Sequence, residues 1–298
     1  MQVDPNYLTK LAGAIGASSA REQTLTDQLS SGLRVARLSD DPVAASSNVL
    51  LSSSMARIDA FTHSANNSQS MLQVSDAALG EVVMQVTAAL SLAVSAGNST
   101  LSASNLSAVG RKLNDIRDNV VSLANTAYQG KYVFAGSQGK TLPFALDTTT
   151  SPATTSYAGD TVTNSLETPD GQQVQVSVPG SSLFMASGAD LMGALNHLVA
   201  DLSGGSTASL QSDTAALSTA LGNVTQQRAT LGSSMSRLTV TTGYEATQRT
   251  MLEARQSEML SADPAQVATQ LKTATVQHQA LLSVAATLSQ TNLFSYMK

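Results

Sequence analysis

Apolar residues recur at alternating spacings of three and four near both ends of this 298-residue chain, and the middle lacks that spacing. Residues spaced in this way lie along one face of an α-helix, and a sustained repeat is typical of helices that pack side by side. In the first helix the stripe includes Leu8, Leu11, Ile15 and Leu25. In the last helix it includes Leu271, Leu281 and Leu288, followed by Leu293 and Phe294. The sequence therefore predicts two terminal helices, each with one apolar face.

Two much longer helices are predicted between the terminal ones. Apolar residues at seven-residue intervals run from Leu51 to about Gly97. A second such series runs from Leu210 to Met259, and Glu245 is the one polar residue on it. A shorter helix after the first long one, at about 106–127, is expected to form the return arm of an antiparallel hairpin.

An aspartate followed by proline marks the start of two of these helices. The carboxylate caps free N–H groups of the first turn, and proline fits the first helical position. The motif occurs at Asp40, Asp41 and Pro42 and again at Asp263 and Pro264. Arg34 and Arg37 lie just before the first motif, and we expect a structural ion pair with Asp40 or Asp41.

From about Gly130 to Phe184 the pattern changes to clusters of Gly, Pro and Thr with short runs of β-branched and aromatic residues. The runs at 131–134 and 174–178 predict strands of a small β-rich insert. A helix is expected to restart at Asp190. Because helices with their own stripes flank the insert, we expect it to be a module with its own core.

The predicted fold class is mainly α with a small β-rich insert. It is an elongated antiparallel helical bundle, or coiled coil, formed by pairing of the N-terminal and C-terminal halves. Three domains are predicted. They are the paired terminal helices at 1–33 and 263–298, a long-helix bundle at 34–130 and 185–262, and a β-rich outer insert at 131–184.

Charge and residue usage exclude several functions. Charged residues make up 12% of the chain, and 16 Lys and Arg against 21 Asp and Glu give a net charge of −5. This balance, without a run of either sign, argues against nucleic acid and against a membrane as partner, and no segment approaches a run of about 18 apolar residues. The chain has no Cys, and its three His residues lack metal-ligand spacing. We therefore expect no metal, no cofactor, no catalytic residue and no enzyme.

The two terminal helices form too small a pair to be stable alone. Helices of about 25 residues bury only one seam between them, and these are rich in Gly, Ser and Thr. Their outer faces lack the Glu and Lys pairs that support a two-stranded coiled coil, so few charges oppose burial against other subunits. We therefore predict that the two apolar stripes form an assembly interface.

Several motifs resemble the bacterial flagellins and their hook-associated relatives. The runs 29–35 and 39–46 resemble the conserved N-terminal stretch of this family. The segments 123–126, 130–136, 228–232 and 288–297 resemble its hook-associated branch. The resemblance covers nearly the whole chain and is weakest at 137–183.

The resemblance implies a structural protein that joins the hook of the bacterial flagellum to the filament. It implies secretion of the unfolded chain through the flagellar export channel and assembly as an extracellular ring. The implied partners are other subunits of the same protein, a neighbouring hook-associated protein, flagellin and a cytoplasmic export chaperone that holds the C-terminal helix. Filament flagellin and a soluble secreted helical effector are the alternatives.

Overall fold

The computed structural model describes residues 5–98 and 102–296. Its helices are α1 Pro5–Ser31, α2 Pro42–Asn98, α3 Ala103–Ala124, α4 Gly180–Phe184, α5 Leu191–Ser203, α6 Leu210–Leu260 and α7 Pro264–Tyr296. The short strands all lie between α3 and α5. The mainly α fold with a small β-rich insert, predicted from the sequence, is confirmed.

Within the described residues, the strands form four antiparallel pairs. β1 Ala127–Tyr128 pairs with β2 Lys131–Tyr132, β3 Phe144–Asp147 with β4 Thr154–Tyr157, β5 Ser165–Glu167 with β6 Gln173–Gln175, and β7 Met185–Ala186 with β8 Ala189–Asp190. Two strands are shorter than predicted. β2 ends at Tyr132 and β6 ends at Gln175. Single backbone hydrogen bonds continue beyond them, from the N–H of Val133 to the carbonyl of Thr126 at 3.0 Å and from the N–H of Val176 to the carbonyl of Asn164 at 2.8 Å.

The chain divides into two compact units. The terminal unit comprises the two ends of the chain, up to Ala56 and from Thr247, and the central unit is Arg57–Ala246. Helices α2 and α6 each contribute residues to both units. These boundaries differ from the three predicted domains, because the ends of the long helices cluster with the terminal helices. The three-domain division remains a prediction.

The central unit has one large hydrophobic core. Fully buried leucines come from α2 at Leu72 and Leu79, from α3 at Leu113, from α5 at Leu195 and from α6 at Leu217. The apolar stripes predicted on α2 and α6 account for the buried face of those two helices. Most residues of the short helix α5 are buried.

The β-rich insert shares this core, contrary to the expectation that it has its own. Phe134, Phe144 and Phe184 are buried in the same cluster as the helical leucines. The Phe184 ring packs edge-on against both others, with centroid distances of 5.5 Å to Phe134 and 5.3 Å to Phe144. Asn125, which caps the C-terminus of α3, binds the backbone N–H and C=O of Phe144 at 2.9 Å each. The insert is therefore fixed to the helices by apolar packing and by hydrogen bonds.

Within the central unit, α2 and α6 pack antiparallel. Arg228 donates two hydrogen bonds to Asp76, from Nε at 2.7 Å and from Nη2 at 3.1 Å. Earlier in α2, Gln69 contacts Thr239, which lies later in α6. The reversed order of these two contacts confirms the antiparallel pairing within this unit.

By length and composition, α2 also meets the criterion for a membrane-spanning helix, with a window of mean hydropathy 1.7 inside Pro42–Gly97. The core helix of a water-soluble protein meets the same criterion. Because Leu72, Leu79 and Val86 of α2 are fully buried in the central core, we interpret α2 as a core helix.

Candidate assembly surface

In the terminal unit, the linker between α1 and α2 pairs with the linker between α6 and α7. The N–H of Arg34 donates to the carbonyl of Leu260 at 2.7 Å, and the N–H of Ala262 donates to the carbonyl of Gly32 at 2.9 Å. Gly32 has a φ of 71°, a left-handed conformation that glycine adopts without a steric penalty. The paired linkers bring the end of α1 beside the start of α7.

Arg34 connects these linkers to two long helices. Its Nη1 lies 3.1 Å from Asp41 Oδ2, and its Nη2 donates to the carbonyl of Met259 at 2.9 Å. Asp41 Oδ1 in turn accepts the N–H of Ala44 at 3.0 Å and caps the first turn of α2. One guanidinium therefore joins the first turn of α2 to the last turn of α6.

The acidic residues at the helix starts bind backbone N–H groups. Asp40 accepts the N–H groups of Arg37 and Ala36, and the first of these is the main cause that lowers the pKa of Asp40. The N–H of Ala44, followed by the Arg34 side chain, lowers the pKa of Asp41. Asp263 caps α7 through the N–H of Ala265 at 2.9 Å, directly before Pro264. Asp41 and Asp263 are therefore helix caps, and Asp40 fixes the linker that precedes α2.

Helices α1 and α7 pack against each other along the predicted stripes. Leu11 and Leu25 of α1 are buried, and Ile15 is half-buried. On α7, Val267 and Ala274 are buried. The half-buried members of the α7 stripe are Leu271, Leu281 and Leu288. The side chains of Leu8, Leu293 and Phe294, which the sequence also assigns to the interface, lie outside the described part of the structure.

The apolar core of this unit is small compared with its exposed apolar surface. It contains Leu25, Ala262, Val267 and Ala274, with Leu271 packed against them. Large apolar side chains of the terminal unit that remain exposed are Tyr7, Leu29, Leu33, Leu38, Val43, Val49, Leu50, Met251, Val276, Leu282 and Val284. Val43 is 75% exposed and Leu50 69% exposed, although both lie in the first turns of a long helix. A contiguous exposed apolar patch marks a surface that a partner covers, and these residues are the candidates for such a patch.

A shallow groove of about 490 Å³ runs between α1 and α7. Ala14, Ala17 and Ser18 form one wall, and Leu281 and Val284 lie on the other. Lys272 is the only Lys, Arg, Asp or Glu in the sequence of α7. Among the residues that line the groove, Arg21 of α1 is the charged one, so a second apolar surface that packed here would have to desolvate or displace a single guanidinium.

Sequence reasoning did not predict the pairing of the two linkers or the exposed apolar residues at the start of α2. Leu33 and Ser261, which face each other in this pairing, are separated by most of the chain, and no local pattern links them. The sequence held one indication that Val43 and Leu50 are exposed: they are seven residues apart and lie off the predicted inward stripe. In the described part of the chain, no three His, Asp or Glu side chains form a group that could hold a metal ion.

The comparisons with known proteins assign this architecture to a family. The N-terminal helical region of bacterial flagellin matches residues 9–139, and its C-terminal helical region matches residues 214–297. The two matches together cover well over half of the chain. The chain belongs to the flagellin family, and the resemblance noted in its sequence is confirmed.

Within that family, the chain is similar to flagellar hook-associated protein 3. It is 34% identical to the Salmonella typhimurium protein over 139 residues, which cover 46% of this chain and 44% of the relative. It is 33% identical to the Escherichia coli protein over 129 residues, which cover 43% and 41%. The aligned part thus spans less than half the length of these relatives. Both relatives are structural flagellar proteins.

Solved structures support the same fold. The flagellar junction protein FlgL of Legionella pneumophila superposes with a TM-score of 0.59 and covers 72% of this chain and 99% of that protein. The identity is 14%, so this match is evidence for the fold alone.

Proposed function

We propose that this protein is a structural component of the bacterial flagellum that joins the hook to the filament. Copies of the chain assemble as a ring through their terminal units. The observation that carries the proposal is the contrast, within the terminal unit, between a very small core and the many apolar side chains that remain exposed. The similarity to hook-associated protein 3 supports a role for this surface in the flagellum.

The proposal includes the partners of such a junction. The terminal unit contacts further copies of the chain, a neighbouring hook-associated protein on one side and flagellin on the other. The chain leaves the cell unfolded through the flagellar export channel, and its final location is extracellular. Before export, a cytoplasmic chaperone covers the C-terminal helix. The apolar and nearly uncharged sequence of α7 supports this last step, because such a helix is prone to associate before its partners are present.

The test is a substitution of Leu281 by glutamate in a strain that lacks the native protein. Leu281 is half-buried and lines the groove between α1 and α7. A carboxylate there must lose its hydration when subunits pack, and an ion buried without a partner costs about 3–5 kcal/mol. We expect normal secretion of Leu281→Glu but no attached filaments.

Leu142→Glu is the matched control, because Leu142 is a 48% exposed leucine of the central unit. We expect this variant to support normal filaments. If secreted Leu281→Glu also supports normal filaments, the seam of the terminal helices is not the assembly surface.

Sedimentation of the purified protein with filament seeds separates the alternatives. A junction protein binds the seed ends in a limited amount. Unlimited growth on the seeds indicates filament flagellin, and no association with the seeds indicates a soluble effector.

A further inference from the structure

A cleft of about 570 Å³ lies in the β-rich part of the central unit. Lys131 and Tyr132 of β2 and the loop up to Thr141 form one side, and Asn164 and Ser177 contribute from farther along the chain. Its volume lies within the range of small-molecule sites, about 300–1,000 Å³. None of its lining residues belongs to the terminal unit, so the cleft is separate from the assembly surface.

The loop that forms this cleft is held in place by its own hydrogen bonds. The N–H of Tyr132 donates to the carbonyl of Gly139 at 2.8 Å, and the N–H of Thr141 donates to the carbonyl of Gln138 at 2.8 Å. The backbone N–H and the hydroxyl of Ser137 both donate to Asp160. A cleft shaped in advance loses little conformational entropy on binding, which favours affinity.

The residues that line the cleft include two lysines and no acidic residue, although the chain as a whole carries a net charge of −5. Lys131 and Lys140 are the charged residues among those that line it. In the described part of the structure, no ion pair joins either lysine to a carboxylate. The carboxylate of Asp160 contacts the lining at Ser137 and offsets part of the positive charge of the lysines. It accepts hydrogen bonds from Ser137 and Val162, and the Ser137 hydroxyl is the main cause that lowers its pKa.

The other lining groups suit a sugar. Gln138 and Asn164 offer amide donors and acceptors, and Thr141 offers a hydroxyl. Tyr132 is half-exposed, so its ring supplies an apolar face beside these polar groups. Amides and hydroxyls bind sugar hydroxyls, an aromatic ring covers the apolar face of a pyranose, and lysines bind carboxylates. We propose that this cleft binds an acidic oligosaccharide whose sugar units carry carboxylates.

Titration calorimetry of the full-length protein with trigalacturonate tests this proposal. Neutral galactotriose and inorganic phosphate serve as comparison ligands. We expect saturable binding of trigalacturonate, with an affinity that falls as salt is raised because the lysines are exposed. We expect affinities at least about tenfold weaker for galactotriose and phosphate, because each offers only one part of the recognised chemistry.

The double variant Lys131→Gln/Lys140→Gln should weaken trigalacturonate binding by at least about tenfold. Arg111→Gln/Lys112→Gln is the charge-matched control, since Arg111 and Lys112 are exposed residues of α3 that do not line the cleft. It should bind like the parent, and circular dichroism should show that all variants are folded.

Three results would overturn the proposal. They are the absence of binding at millimolar trigalacturonate, binding that the double variant leaves unchanged, and equal affinity for phosphate, which indicates a simple anion site. The proposal does not depend on the junction function, because this assay measures the monomer and the filament assay measures the terminal unit.

Discussion

The two units of this protein bury apolar side chains to very different extents. The largest fully buried side chains of the described residues, among them Phe134, Phe184 and Leu195, all lie in the central unit. The terminal unit has the small cluster around Leu25 and a long series of exposed apolar residues. Both units consist mainly of helices with apolar stripes, so the stripe alone does not determine burial. What differs is the number of elements that pack around each stripe.

The difference has a physical consequence for stability. Burial of apolar surface is the main stabilising contribution in folding, and it must offset the entropy of ordering the chain. In the central unit each long helix has neighbours on α3, on α5 or in the insert. In the terminal unit α1 and α7 have mainly each other. We therefore infer that the central unit is stable as a monomer and that the terminal unit gains much of its stability on assembly.

The largest effect is expected for Phe184→Ala in the central core. Phe184 is fully buried and packs against two other phenylalanine rings, so its loss leaves a cavity between the insert and the helices. We expect the free energy of unfolding to fall by about 3–5 kcal/mol. Urea denaturation followed by circular dichroism measures it. A loss below about 1 kcal/mol would show that the insert does not share the helical core.

Two matched leucine substitutions compare the units directly. Leu195 is fully buried in the central core, and Leu25 is 5% exposed in the terminal cluster. We expect Leu195→Ala to lower the monomer's free energy of unfolding by about 2–5 kcal/mol. Leu25→Ala should change the main transition by about 1 kcal/mol or less, because the small terminal cluster contributes little to it. Equal losses for both variants would contradict the proposed difference between the units.

A smaller effect is expected at the paired linkers. Arg34→Lys keeps the positive charge but loses the planar guanidinium, which binds Asp41 through one nitrogen and the carbonyl of Met259 through another. The side chains are partly exposed, so we expect a loss of about 0.2–1 kcal/mol. Amide exchange should become faster at Ala44, in the first turn of α2. Unchanged exchange there would indicate that Arg34 does not hold the linkers together.

The smallest expected effects are on the pH dependence of stability, and carboxyl groups of the two units act in opposite directions. Burial raises the pKa of Asp213 in the central unit, with Asp201 as a further cause, and burial also raises the pKa of Glu245. A carboxyl group whose pKa is raised on folding makes its full contribution to stability when the pH is below its ordinary pKa, 3.8 for aspartate and 4.5 for glutamate. This contribution is lost as the pH rises through the folded-state pKa. Asp213→Asn and Glu245→Gln should therefore reduce this loss between about pH 4 and 7.

Asp40 and Asp41 in the terminal unit make stability depend on pH in the opposite direction. Their pKa values are lowered, so their contribution is present above 3.8 and is lost as pH falls through the folded-state pKa. The protection factors of the Arg37 and Ala44 amides, which correct for the pH dependence of intrinsic exchange, should thus fall in acid. Denaturation curves and exchange rates from pH 3 to 7 measure both effects, and equal pH slopes in parent and variants would contradict them.

The sequence predicted features that depend on local contacts. Aspartate and proline at Asp41–Pro42 and Asp263–Pro264 mark helix starts because the cap and the N–H groups that it binds are within a few residues. The inward stripes of α2, α3, α5 and α6 were predictable for the same reason, since helical periodicity depends on sequence spacing alone.

Features that depend on distant residues could not be predicted in this way. The pairing of Leu33 with Ser261 joins two linkers from opposite ends of the chain. Phe134 and Phe144 looked like parts of an independent insert, and only the positions of α3 and α5 show that the helical core surrounds them. The exposed Val43 and Leu50 also needed the structure, because the sequence does not show how many neighbours cover a helix face.

Hydrogen exchange of the full-length protein, first as a dilute monomer and then bound to filament seeds, tests the central claim most directly. We expect amides of α1 and α7 in the monomer to exchange at least about tenfold faster than those of α3 and α5, a difference of about 1.4 kcal/mol or more in opening free energy. On assembly, protection should rise in α1 and α7 and stay nearly unchanged in α3 and α5. Equal protection of all four helices in the monomer, or no added protection of α1 and α7 on the seeds, would contradict the account.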